Sequence, residues 1–157
     1  MSKSLKRVEA ALAAAGVAVR ILAASTETRT AEQAAAGAGC AVDQIVKSII
    51  FRADGTGRIC LFLTPGGQRV DPALASDLAG EALGRADADQ VRAATGFAIG
   101  GVAPVGHLTD VPVWAEERLL AFPQVWAAAG TPRHIFAIAP RDLIRVSNAA
   151  VARFVAG

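Results

Sequence analysis

Apolar residues recur at helical spacing from the start of the chain. Leu5, Val8, Ala11 and Leu12 fall on one face and Gly16 follows as a stop, which predicts a first helix over about Ser4 to Ala15. Val17, Val19 and Ile21 then alternate, the period of a strand. Thr30 with Gln33 forms a capping box that opens a short alanine-rich helix ending near Gly37-Ala38-Gly39. Ile45 to Arg52 is a strongly apolar strand, and the turn Asp54-Gly55-Thr56-Gly57 joins it to a second strand from Arg58 to Thr64 as a hairpin.

Further along, Asp71-Pro72 pairs a cap with proline at the first helical position and opens a helix towards Leu78. A second helix is expected over about Ala88 to Thr95, with Gly96 beyond its end. Phe97-Ala98-Ile99 is expected as a short strand entering the loop Gly100-Gly101-Val102-Ala103-Pro104-Val105-Gly106. Val111 to Ala115, Gln124 to Ala128 and His134 to Ile138 read as further strands, Pro140 to Leu143 as a helical turn, and Asn148 to Val155 as a last helix. Strands and helices mix without regular βαβ alternation. The expected architecture is therefore an α+β single domain over residues 1–157, with a strongly curved, barrel-like, mainly antiparallel mixed sheet and flanking helices.

Composition narrows this picture in a few places. The 157 residues are 53% hydrophobic and 19% charged, a folding composition, although much of the apolar count is alanine and contributes helix propensity more than buried area. No run approaches the roughly 18 apolar residues of a membrane span, and the first residues enter an amphipathic pattern with no apolar signal core, so no membrane partner and a cytoplasmic location are expected. Net charge is +2, from 16 basic against 14 acidic residues. That is too small an excess to demonstrate a nucleic-acid partner, yet a protein holding only the end of an RNA strand needs few phosphate contacts. Cys40 and Cys60 lack metal-type spacing and read as buried thiols.

Lys47 is the most informative residue. Period-two alternation places it on one strand face with Ile45, Ile49 and Phe51. An ammonium among apolar side chains must either snorkel to a rim or face a pocket that supplies an anion. A lysine that protects a sheet edge is the other reading. The loop Gly100 to Gly106 is the second feature: glycines let backbone N–H groups approach a ligand, and Pro104 stiffens the turn, so it can hold an anion, polarise a carbonyl, or serve as a tight turn. Its glycine spacing fits neither a Walker loop nor a dinucleotide fingerprint. Thr64-Pro65-Gly66-Gly67 reads as a structural turn. Ala129-Gly130-Thr131-Pro132 lies between two strands, as hairpin turn or pocket wall. His107 and His134 read as surface or internally satisfied histidines. No metal-ligand spacing and no Ser-His-Asp arrangement is present, so neither metal nor cofactor is expected.

Taken together and in order, five stretches resemble the YbaK/ProX family of trans-editing proteins, which is related to the editing domain of bacterial prolyl-tRNA synthetases. They are Thr30 to Ala35, Gln44 to Phe51, Gly100 to Gly106, Ala129 to Pro132, and Pro140-Arg141-Asp142-Leu143. The resemblance implies hydrolysis of the ester linking a small mischarged amino acid to the 3′-terminal adenosine of tRNA, with tRNA(Pro) the first candidate. The implied partners are the acceptor end of an aminoacyl-tRNA and, as a candidate, prolyl-tRNA synthetase. Lys47 then corresponds to the required lysine. Gly100 and Gly101 are assigned with it to catalysis, as backbone donors to the developing oxyanion. Ser48, Pro104, Gly106, Ala129, Gly130 and Thr131 are assigned to substrate binding. Ser48 departs from the alanine-specific branch, where asparagine follows the lysine. With no protein nucleophile in view, a positioned water, a ribose hydroxyl as base, or a substrate thiol completes the chemistry. A non-catalytic module that holds aminoacylated ends or a synthetase is the competing reading. A DNA-associated regulator would need a recognition helix and a basic face that the chain lacks.

Overall fold

Leu5, Val8 and Leu12 are all buried on one side of helix α1 (Lys3–Ala14), whose first turn is capped by the Ser2 hydroxyl accepting from the N–H groups of Ser4 and Leu5. The computed structural model describes residues 2–24 and 30–157. The remaining elements are β1 (Ile21–Ala23), α2 (Ala31–Ala38), a single-turn 3₁₀ helix (Val42–Gln44), β2 (Ile45–Ala53) and β3 (Ile59–Pro65). They continue with α3 (Pro72–Ala79), β4 (Leu83–Arg85), α4 (Ala88–Thr95) and β5 (Val113–Glu116), then a second 3₁₀ segment (Glu117–Ala121). The chain ends with β6 (Val125–Thr131), β7 (His134–Ile138), α5 (Pro140–Ser147) and β8 (Ala150–Ala152).

The eight strands form one mixed sheet in the order β1-β7-β6-β2-β3-β5-β8, with β4 paired to β2 beside that path. Pairs β1·β7, β6·β7, β2·β3 and β2·β4 are antiparallel, whereas β2·β6, β3·β5 and β5·β8 are parallel. The main core draws on Val46, Leu61, Leu63, Val113, Val125, Ala127 and Phe136 from five strands, and on Leu12, Val91 and Leu143 from three helices. One sheet face thus curls around a core closed by α1, α4 and α5. The opposite face carries two smaller clusters, one around Phe62, Phe154 and Cys60, the other joining Ala34 and Ala35 of α2 to Ile45 and Trp126. The α+β single-sheet expectation and the β2–β3 hairpin are both present. Among the described residues, no helix is long and apolar enough to cross a membrane.

Three local expectations are corrected. The strand expected from Val17 begins only at Ile21: Val17 and Val19 pack against the core from an irregular segment outside the ladder. Phe97-Ala98-Ile99 is no strand, because the Gly101 N–H donates to the Ala98 carbonyl and closes a turn that buries Phe97 and exposes Ile99. The expected last helix, Asn148 to Val155, is absent. Asn148 takes a left-handed conformation (φ 55°) as the cap of α5, and the chain then pairs with β5 as β8. The buried Glu116 carboxylate fixes the chain just beyond β8, accepting from the N–H groups of Phe154 (2.7 Å) and Val155 (3.2 Å). The helical turn at Pro140 also runs further than expected, through Ser147.

Candidate functional site

Strand β2 is flanked unevenly. On one side β3 pairs with it from Val46 to Arg52. On the other, β6 reaches only Ile45 and Val46, and β4 only Phe51 to Ala53. Residues 47–50 therefore have no partner strand on that side among the described residues. The cause lies in β6, where a register shift between Ala128 and Thr131 and a left-handed Gly130 (φ 97°) turn the strand away. A pocket of about 590 Å³ occupies the break. It is lined from both faces of the sheet: Ala34, Ile45, Trp126 and Ile135 on the α2 side, and Val91, Val102, Ile50 and Ala86 on the main-core side.

Lys47 stands at the start of this break, half-buried, between the two smaller apolar clusters. Its Nζ donates a 2.6 Å hydrogen bond to the carbonyl oxygen of Gln68. Burial lowers its pKa below the ordinary lysine value, Arg69 adds to that, and the carboxylates of Glu32 and Asp43 oppose it. Ser48 points to the other face. Its Oγ donates to the Val102 carbonyl at 2.7 Å and so ties the open strand to the glycine loop. The strand face assigned to Lys47 is thus right, but it is the face opposite the main core.

The resemblance-based residues fall into two groups. Lys47, Ser48, Gly100 and Thr131 line the pocket. Gly101 is buried behind it, and a Cβ there would lie 2.8–2.9 Å from the backbone of Thr131, so its lack of a side chain lets the loop lie against the β6–β7 hairpin. Its N–H donates to the Ala98 carbonyl at 3.0 Å. Pro104, Gly106, Ala129 and Gly130 are not among the pocket-lining residues. Pro104 is buried, Ala129 belongs to the main core, and the Gly106 carbonyl accepts from Arg7 Nε at 3.1 Å. At Gly130 a Cβ would meet the Ser4 carbonyl oxygen at 2.9 Å and the Phe97 ring at 3.0 Å. These four build the support of the pocket rather than its surface.

Several further residues line the pocket beyond those assigned from the resemblance. His134 lines the pocket, and its Nδ1 lies 2.6 Å from Thr131 Oγ1 across the hairpin turn, a three-residue spacing that was visible in the chain. Trp126 and the exposed Ile99 also line it, without any local signal of chemistry, and Thr30 and Ala31 join them from the first of the five resembling stretches. The other histidine is elsewhere: His107 Nε2 lies 2.7 Å from the Ala103 carbonyl oxygen, and burial lowers its pKa. Among the described residues, no three His, Cys, Asp or Glu side chains converge as a metal site, and both cysteines are free thiols.

Residues 25–146 match the family described as the aminoacyl-tRNA editing domain. The chain belongs to that family. This editing domain is 30% identical over 122 residues to YwhH, an uncharacterised protein of Bacillus subtilis (strain 168), covering 78% of this chain and 77% of that one. It is 29% identical over 119 residues to the proline–tRNA ligase of Shouchella clausii (strain KSM-K16), covering 74% of this chain but only 20% of the ligase. Among solved structures, a protein described as a candidate trans-editing enzyme for prolyl tRNA synthetase superposes with a TM-score of 0.92 at 43% identity, over 100% of this chain and 99% of that one. The YbaK-like resemblance of the ordered motifs and the fold therefore agree, and the editing domain's pocket lies where β2 is left open.

Proposed function

We propose that this editing domain is a deacylase that acts in trans on mischarged tRNA, hydrolysing the ester of a small amino acid, with tRNA(Pro) the first candidate. One observation carries the reading: a pocket of about 590 Å³ opens beside a half-buried lysine, in a domain of the editing family. That volume lies within the roughly 300–1,000 Å³ of small-ligand sites and suits an aminoacyl group with its terminal ribose. The likeness to the candidate trans-editing enzyme supports action on a synthetase's product rather than within it.

In this reading Lys47 binds the terminal phosphate or the ester carbonyl side by charge and hydrogen bonding, since one of its three ammonium donors is committed to Gln68 and two are free to turn towards the ligand. A water oxygen attacks the ester carbonyl, the bond to the ribose oxygen breaks, and that oxygen leaves with a proton. A neighbouring ribose hydroxyl relays the proton, taking one from the attacking water as it gives its own to the departing oxygen. Because the Gly101 N–H is engaged, the glycine loop offers Gly100 as its donor at the pocket wall, and one such donor contributes on the order of 3 kcal/mol in measured cases. The apolar wall formed by Ile45, Val102 and Trp126 excludes large side chains by size but separates neighbours by one methylene only by about 1–3 kcal/mol. Action on several small amino acids follows.

The test is release of labelled small amino acids from a panel of mischarged tRNAs, with Lys47→Ala beside the unaltered protein and with or without prolyl-tRNA synthetase. A folded Lys47→Ala protein that deacylates at the full rate would remove Lys47 from the mechanism.

A further inference from the structure

The side-chain amide of Gln68 sits between two partners of opposite kind. Its Nε2 donates to Asp43 Oδ2 at 3.0 Å, and its Oε1 accepts from Arg118 Nη1 at 3.0 Å. A carboxylate offers only acceptors and a guanidinium only donors, so the amide can point one way. The other carboxylate oxygen, Asp43 Oδ1, accepts from the Gly67 N–H at 2.7 Å. The Gln68 N–H closes the turn by donating to the Pro65 carbonyl at 2.9 Å. The turn is also pressed on the 3₁₀ helix that carries Asp43: a Cβ on Gly66 would lie 2.3 Å from the Val42 carbonyl oxygen, and one on Gly67 2.6 Å from Asp43 Oδ1. A side chain at 66 would meet fixed backbone, and one at 67 would push the Asp43 carboxylate aside. The backbone carbonyl of this braced turn is the group that receives Lys47 Nζ at 2.6 Å.

We propose that Asp43 and Gln68 are positioning residues that hold the Lys47 ammonium at the mouth of the pocket, Asp43 acting through the Pro65–Gln68 turn and Gln68 through its own carbonyl. A lysine side chain has four rotatable bonds and loses much freedom when fixed, so a free Lys47 would sample many positions in the break of the sheet. The brace removes that freedom before a ligand arrives and leaves two N–H groups to meet an anion. Arg118 completes the arrangement from the 3₁₀ segment after β5, donating on its other nitrogen to the Gly157 carbonyl at 3.4 Å. This rests on the deacylase reading only for its consequence in turnover, not for the brace itself.

The chain has Lys3, Lys6 and Lys47 as its lysines, and the first two are exposed on α1, so a lysine-specific probe reads the site against built-in references. Reductive methylation with labelled formaldehyde gives dimethyl-lysines that keep their charge and one N–H, enough for the bond to Gln68. In the unaltered protein, methyl relaxation by NMR is expected to show Lys47 more restricted than Lys3 and Lys6. In Asp43→Asn, which has one acceptor oxygen where two are used, and in Gln68→Ala, the Lys47 methyls should become as mobile as those of the other two. With unmethylated protein, KM for a mischarged tRNA should rise roughly fivefold or more in both variants, while Asp77→Asn on α3 removes a surface charge and changes neither reading. A Lys47 signal equally restricted in both variants overturns the brace. A protein that leaves every ester intact overturns the deacylase reading alone, because the relaxation measurement needs no substrate.

Discussion

Ser48 Oγ donates a 2.7 Å hydrogen bond to the carbonyl oxygen of Val102, and this bond fastens the unpaired stretch of β2 to the glycine loop across the pocket. Val102 is buried, so Ser48→Ala leaves its carbonyl without that partner, at a cost of about 1–3 kcal/mol. Urea denaturation is expected to show that loss, with Ser48→Thr recovering part of it through the retained hydroxyl. An unchanged midpoint in the alanine variant would mean that the loop is held by other contacts.

Gly100 and Gly101 are adjacent but should respond differently to alanine. At Gly101 the new methyl meets the Thr131 backbone at under 3 Å, and neither segment is a side chain that can swing aside. The loop must move off the hairpin, which distorts the pocket wall and is expected to lower deacylation tenfold or more. At Gly100 a methyl finds open space, and the strain comes from a backbone φ of 92°, about 1–3 kcal/mol. Thermal unfolding and turnover measured on both variants separate the two: Gly101→Ala should lose activity out of proportion to stability. Equal behaviour would count against the close packing as the reason for glycine at 101.

Lys47→Arg distinguishes charge from shape. A planar guanidinium retains the positive charge but cannot reproduce a single short bond to the Gln68 carbonyl while turning two further N–H groups elsewhere. Deacylation by the arginine variant is expected to fall by at least tenfold, with Lys47→Ala lower still. If the unaltered protein binds aminoacyl-tRNA tightly and leaves the whole panel esterified, the domain is a holding module, and the same variants should then weaken binding instead.

His107 gives the fold an acid limit. Its half-buried ring donates to the Ala103 carbonyl; burial, opposed by that bond and reinforced by Arg7, lowers its pKa below the usual value near 6.5. The unfolded chain therefore takes up a proton before the folded one does. The resulting stability is complete above about pH 6.5 and is lost as pH falls from there through the folded-state pKa. Denaturation midpoints between pH 7.5 and pH 5 should decline more steeply for the unaltered protein than for His107→Gln. Parallel curves would show that the ring titrates equally in both states.

Much of the fold was legible because its signals are local. Thr30 with Gln33, Asp71 before Pro72, and Gly96 after Thr95 each terminate a helix through groups within four residues, and all act where the spacing placed them. The segments that depart from expectation depend on distant partners. Asn148 to Val155 has an apolar content suited to a helix, but β5 and the Glu116 carboxylate claim its backbone from more than thirty residues away. The site divides in the same way. Lys47 announced itself as a charge within an apolar strand. The pocket-lining Trp126 and His134 could not, since their proximity to Lys47 depends on a parallel β2–β6 pairing and a bulge that no neighbouring residue encodes. Gly101 and Gly130 stand out in the sequence as glycines, but what each makes room for is backbone far away in the chain: Thr131 for the first and Ser4 for the second.

The two-residue contact between β2 and β6 also sets a unit of change. The unpaired stretch at residues 47–50 is a window about 13 Å long, and each further rung zipped from either end would shorten it by about 3.3 Å. The width of the aperture is thus counted in whole ladder steps, whereas its lining can vary atom by atom. A relative that admits a bulkier acyl group could differ by a single register shift in β6, with every wall residue unchanged.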